Sequence, residues 1–96
     1  FVNELRVAPE TRGAGSVWDI ALSHDAGQAY IYLADGVNER VYIIHRASMQ
    51  ILTSFGGGGR QPGQFFGIHN VAVDSDGNVY TAEVGGGRRA QKFVRR

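Results

Sequence analysis

Cysteine is absent from the 96 residues, and proline occurs only twice. Without cysteine there is no disulfide to staple a chain this short. Its stability must come from an apolar core, a metal or a partner. The same absence leaves the redox compartment open. Charge of one sign is also scarce: ten Lys and Arg against nine Asp and Glu give a formal net charge of +1. Nucleic-acid binders carry a larger basic excess, so this balance gives that class no support. No apolar run approaches the length of a membrane span. No segment carries a sustained helical stripe, and the best candidate, near Gln50, is too short.

Fourteen glycines and a 43% hydrophobic fraction remain, which favours many tight turns over disorder. The apolar runs are short, rich in Val, Ile, Tyr and Phe, and separated by Gly, Asn and Asp clusters. That is an all-β pattern. It predicts strands at Val17–Ser23, Ala29–Asp35, Arg40–Arg46 and Ile51–Phe55. After the glycine-rich stretch Gly56–Gly67, it predicts three more at His69–Asp74, Asn78–Val84 and Arg89–Arg95. Phe1–Ala8 reads as a spare strand ended by Pro9. Turns such as Asp76-Gly77 mark hairpins, since glycine accepts the positive φ they require. The first strand of each unit carries few charges, as expected of a strand buried on both faces.

The two units align. Trp18-Asp19-Ile20-Ala21-Leu22 lies over His69-Asn70-Val71-Ala72-Val73, and Ile31-Tyr32-Leu33-Ala34-Asp35 lies over Val79-Tyr80-Thr81-Ala82-Glu83. A period of roughly 40–50 residues with four strands per unit is the mark of a propeller blade. The stretch Phe55-Gly56, Pro62-Gly63-Gln64-Phe65, Val71-Ala72-Val73-Asp74 and Asp76-Gly77-Asn78-Val79-Tyr80 resembles the NHL repeat. The first unit follows it more loosely. The resemblance implies a β-propeller made of four-stranded antiparallel blades, usually six of them. This chain would supply about two: residues 17–55 as one blade, residues 69–96 as a second lacking its outer strand, and residues 1–8 as the outer strand of a preceding blade.

Two blades leave apolar faces and strand edges open. The expected partners are therefore further copies, a homotrimer closing a six-bladed ring, or the remaining blades of a longer chain. In a ring, Phe1–Ala8 of one copy would complete the last blade of the next.

In such an arrangement the first strands start, and the second strands end, at one face. That brings Trp18, Asp19, Asp35, His69, Asn70, Glu83 and Arg88 toward one funnel, where a peptide or small polar ligand would sit. His69 is also the candidate metal ligand: three-fold copies would set three imidazoles around an axis, a fit for zinc. The resemblance extends here to propeller lyases with histidine-bound zinc. The alternative is that His69 packs in the slot that Trp18 fills in the first unit. Asp35 and Glu83 could act as acid–base groups or calcium ligands, as in lactonase-like propellers, or could pair with Arg40, Arg88 or Arg89. Asp74–Asn78 superficially resembles a calcium loop but lacks the closing glutamate and flanking helices, and reads as a hairpin turn. Gly56–Arg60 lacks the Gly-Lys-Ser/Thr of a phosphate loop and reads as a flexible linker. The basic residues Arg88, Arg89, Lys92, Arg95 and Arg96 would suit an RNA-binding platform or a solvated edge. No serine sits in a nucleophile elbow. The residues alone leave three readings: a binding and assembly module, a metal-dependent lyase or hydrolase, and an RNA platform.

Overall fold

Short turns set the strand lengths. Asp25 accepts the Ala29 amide at 3.0 Å, and Asp74 accepts the amides of Asp76 and Asn78 at 3.0 and 2.9 Å. Such side-chain bonds replace the ladder where the backbone reverses. Gly77 has a φ of 83°, the left-handed turn conformation predicted for it. The computed structural model describes residues 2–95. Phe1 and Arg96 lie outside the described residues.

Seven strands follow in order: β1 (Asp19–Leu22), β2 (Tyr30–Asp35), β3 (Arg40–His45), β4 (Gln50–Gly56), β5 (Ile68–Val73), β6 (Val79–Glu83) and β7 (Ala90–Phe93). The protein is all-β, with no helix among the described residues. β1-β2-β3-β4 form one antiparallel sheet and β5-β6-β7 a second. The sheets stack as a pair and do not close into a ring.

The core lies between them. Tyr32, Ala34 and Val41 of the first sheet are buried against Ile68, Val71, Val73 and Val79 of the second. Period-two alternation puts these residues on one face of each sheet, and an irregularity between Ile68 and Asn70 brings Ile68 to the same face as Val71 and Val73. Phe65 plugs the layer at 0% exposure, with ring centroids 6.3 Å from Phe55 and 5.6 Å from Phe93. These spacings suit tilted aromatic packing. Phe65 also anchors Gly56–Arg60, the run expected to be a flexible linker, which is instead folded back against it. Gly59 N donates to the Phe65 carbonyl at 2.9 Å, and Phe65 N donates to that of Gly57 at 2.7 Å. Burial of one large side chain turns a glycine run into a fixed loop.

Two expectations change. β1 and β5 are half-buried, not buried on both faces: Ile20 is 53% exposed and Leu22 36%. Their second face has no sheet against it. Residues 2–8 form no strand. They lie on the outer face of the first sheet, where Val7 packs with Leu33 and Ile44, joined by Leu5 and Ala8. The Ser16 hydroxyl donates to the Val7 carbonyl and pins the segment there.

Replacing Phe65 with alanine empties the centre of the inter-sheet layer. The expected loss is about 3–5 kcal/mol of unfolding free energy, read from urea unfolding. A loss below about 1 kcal/mol would contradict this placement of the core.

Candidate functional site

The antiparallel ladders start β1 and β5 at the end where β2 and β6 finish. Trp18 just precedes β1, and its backbone amide donates to the Ala34 carbonyl at 3.0 Å. Its indole Nε1 donates to the Gly15 carbonyl at 2.9 Å. The ring rests on Gly36, where an added Cβ would stand 2.2 Å from an indole carbon. A side chain cannot fit there, so glycine is required to seat the tryptophan. Beside it, β5 is irregular: Ile68 pairs with Glu83 and Asn70 with Ala82, leaving His69 as the extra residue. A bulge of this kind re-aims a side chain. The His69 imidazole is exposed and meets Trp18 edge-on, with centroids 5.4 Å apart.

Asp19 joins the two sheets. One carboxylate oxygen accepts the Val71 amide at 2.9 Å and the Asn70 side-chain amide at 3.3 Å. Asn70 Oδ1 in turn stands 3.1 Å from His69 Nδ1. Trp18, Asp19, His69 and Asn70 therefore form one contiguous polar-aromatic group.

The other expected residues are drawn away from it. Asp35 is fully buried and closes its own loop, accepting the Val37 and Asn38 amides at 3.1 and 2.9 Å and Asn38 Nδ2 at 2.7 Å. Glu83 accepts from Phe66 N at 2.7 Å, Arg89 Nε at 2.6 Å and Gln91 Nε2 at 3.0 Å. Burial would raise its pKa; the bonds from Arg89, the Phe66 amide and Gln91 outweigh that and hold it below the ordinary glutamate value. The ion-pair alternative thus describes Glu83, with Arg89 as the partner. Both carboxylates face N–H donors, which leaves them poorly placed as acid–base groups or calcium ligands. Arg88 is exposed in a left-handed conformation, φ 46°, with no hydrogen bond or ion pair among the described residues.

Among the described residues, no three of His, Cys, Asp and Glu are grouped so as to hold a metal ion. One chain offers His69 alone, and zinc there would need ligands from neighbours. Two of the basic residues are engaged in local contacts. Arg89 donates to the Arg60 and Gln64 carbonyls at 2.7 and 2.6 Å, and Lys92 sits 5.6 Å from the Tyr80 ring centre.

Sequence reasoning missed Glu39. Its carboxylate accepts the Gly67 amide at 2.8 Å and the Ile68 amide at 3.3 Å, a second stitch from the first sheet to the start of β5. The sequence signal was its alignment with Arg88 at the end of the loop after the second strand; in the structure both positions have positive φ. The repeat thus sets opposite charges at one position. The chain matches no family model and no curated protein.

The expected turn at Asp74 is well developed. Bonds from the Asn78 side chain, the Asn78 amide and Tyr80 hold the Asp74 carboxyl down to about 2, against an ordinary 3.8. A depressed carboxyl stabilises the fold fully above its ordinary value, and the effect is lost as pH falls through about 2. Stability should therefore drop between about pH 4 and pH 2, and Asp74→Asn should flatten that fall in acid titrations of the thermal midpoint. An unchanged acid limb would contradict the assignment. Trp18 is the sole tryptophan. Gly36→Ala should push the indole off its seat and shift its emission to longer wavelength; unchanged emission would contradict the contact.

Proposed function

We propose that the chain is two blades of an NHL-type β-propeller, serving as a binding and assembly module. Further blades stack on both open faces, and a peptide or small polar ligand meets the end that carries Trp18, Asp19, His69 and Asn70. One observation carries this reading: the exposed apolar residues on each outer face are equivalent to residues already packed on the other sheet.

Pairing fixes the equivalences. Asp19 pairs with Ala34, and Asn70 with Ala82; Ala34 pairs with Val41, and Ala82 with Ala90. The first sheet's packed face, with Ala21, Tyr32, Ala34 and Val41, therefore corresponds to Ala72, Tyr80, Ala82 and Ala90 on the second sheet's open face. Conversely, the second sheet's packed Val71 and Val73 correspond to the open Ile20 and Leu22, and its Val79 to Ile31, which is half-buried beside Val7. An apolar open face that repeats a buried one is what a stacked repeat requires. Asn70 stands where Asp19 stands, so its Oδ1 can accept the first-strand amide of a following blade. The ligand end supports binding because an exposed imidazole and an indole edge sit beside amide groups, a mixed surface suited to polar ligands.

Three copies joined in tandem in one polypeptide would supply six blades. The expected result is a single cooperative unit melting at least ~10 °C above the single chain, since stacked interfaces add stability. A tandem protein melting at the single chain's temperature would overturn the reading. For the ligand end, His69→Ala should abolish any Trp18 fluorescence change produced by short peptides or sugars.

A further inference from the structure

The second sheet has two edge strands among the described residues: β5, whose amides meet the Asp19 and Glu39 carboxylates, and β7, which is bare. Glu83 N donates to the Arg89 carbonyl, so residues 89, 91 and 93 face β6 by alternation. The backbone groups of Ala90 and Lys92 therefore face outward, unpaired. In the first sheet the corresponding edge, that of β3, is covered by β4. Beside the bare edge, between the two sheets, lies an open cleft of about 840 Å³ lined by Tyr30, Phe55, Phe93, Asp25, Asp74 and Arg95 among others. In the first sheet, Tyr42 and Ile44 are met across the ladder by Ser54 and Ile51 of β4. Of their counterparts, Gln91 is held by Gly63 and Gln64, whereas Phe93 lines the cleft with no strand beyond it, and the cleft is the space a side chain opposite Phe93 would fill.

Residues 2–8 have the complementary character. Burial alternates along them: Glu4 and Arg6 are exposed, while Leu5 is half-buried and Val7 buried on the first sheet. The opposite side of the segment presents Val2, Glu4 and Arg6, and Val2 is 97% exposed. That side pairs one apolar group with one charge of each sign. The cleft offers aromatic rings together with Asp25, Asp74 and Arg95.

We infer that residues 2–8 of a second copy add to the free edge of β7 as the fourth strand of the second sheet, with Val2, Glu4 and Arg6 turned into the cleft. This rests on the propeller reading and names the partner. Each segment stays on its own first sheet through Leu5 and Val7 while its other side and backbone engage the neighbour. The contact is head-to-tail, so it can close a ring. Arg88 cannot accept amides as Glu39 does, so the junction between copies has one stitch fewer than the junction within a copy. The association should accordingly depend on concentration.

The test is light scattering on the full chain over a concentration series, with amide exchange on the same samples. Mass should rise with concentration, and the Ala90 and Lys92 amides should slow at least tenfold as it does. Lys92→Pro removes an outward amide at an edge position where proline is tolerated. Val2→Asp alters a side chain that touches almost nothing in the single chain. Each should raise the concentration needed for association at least tenfold without changing the monomer's circular dichroism. A chain that stays monomeric, or association indifferent to both variants, overturns the inference. The propeller reading falls separately. If association survives both variants but is lost in Ala72→Glu, or if only the tandem protein gains stability, stacking stands and strand addition does not.

Discussion

The structure depends on one layer: two antiparallel sheets pressed face to face around Phe65. Neither sheet has enough apolar surface to stand alone, and no disulfide compensates. Phe55, Phe65 and Phe93 close the outer part of that layer, while small residues such as Ala34 let the sheets approach. Two carboxylates stitch the layer at its other end. Asp19 and Glu39 each reach from the first sheet to backbone amides of β5. Those amides have no ladder partner on the first sheet, so buried donors would otherwise go unsatisfied.

The same layer explains the candidate site. Because Asp19 is committed to β5, Asn70 and His69 are held beside Trp18. Because Asp35 and Glu83 are committed to their loops, they withdraw from that group. Residues that looked alike in sequence, four acidic or amide side chains at strand ends, thus divide into those that join sheets and those that close turns. What remains free at this end is His69, the indole edge and Arg88. Hydrogen bonding and stacking with polar ligands are within their reach.

Much of this was legible in the sequence. Alternating Val, Ile and Tyr marked the strands, and the Asp-Gly turns marked their limits to within a residue or two. The pairing registers agree with the Trp18–Leu22 over His69–Val73 alignment. The Glu83–Arg89 pair was one of the roles open to Glu83. Three features were hidden. The bulge at His69 depends on how β5 meets β6, which no local pattern encodes. The ordering of Gly56–Arg60 depends on the burial of Phe65 between the sheets, whereas glycine propensity argues only for freedom. The resting place of residues 2–8 depends on Leu33 and Ile44, which alternation marks as apolar without saying what covers them.

If the open faces are the two halves of the interface seen inside the chain, Ala72 and Leu22 belong to facing sheets of neighbouring copies, about 10 Å apart in stacked sheets. Because the protein has no cysteine, single labels can be placed at will. One sample of the full chain would carry a spin label at Ala72→Cys, another at Leu22→Cys, and the two would be mixed. Strong dipolar coupling between the labels in the mixture, and not within either sample alone, is the predicted result. Coupling absent from a mixture that does associate would mean that the copies meet elsewhere, and stacking through these faces would be contradicted.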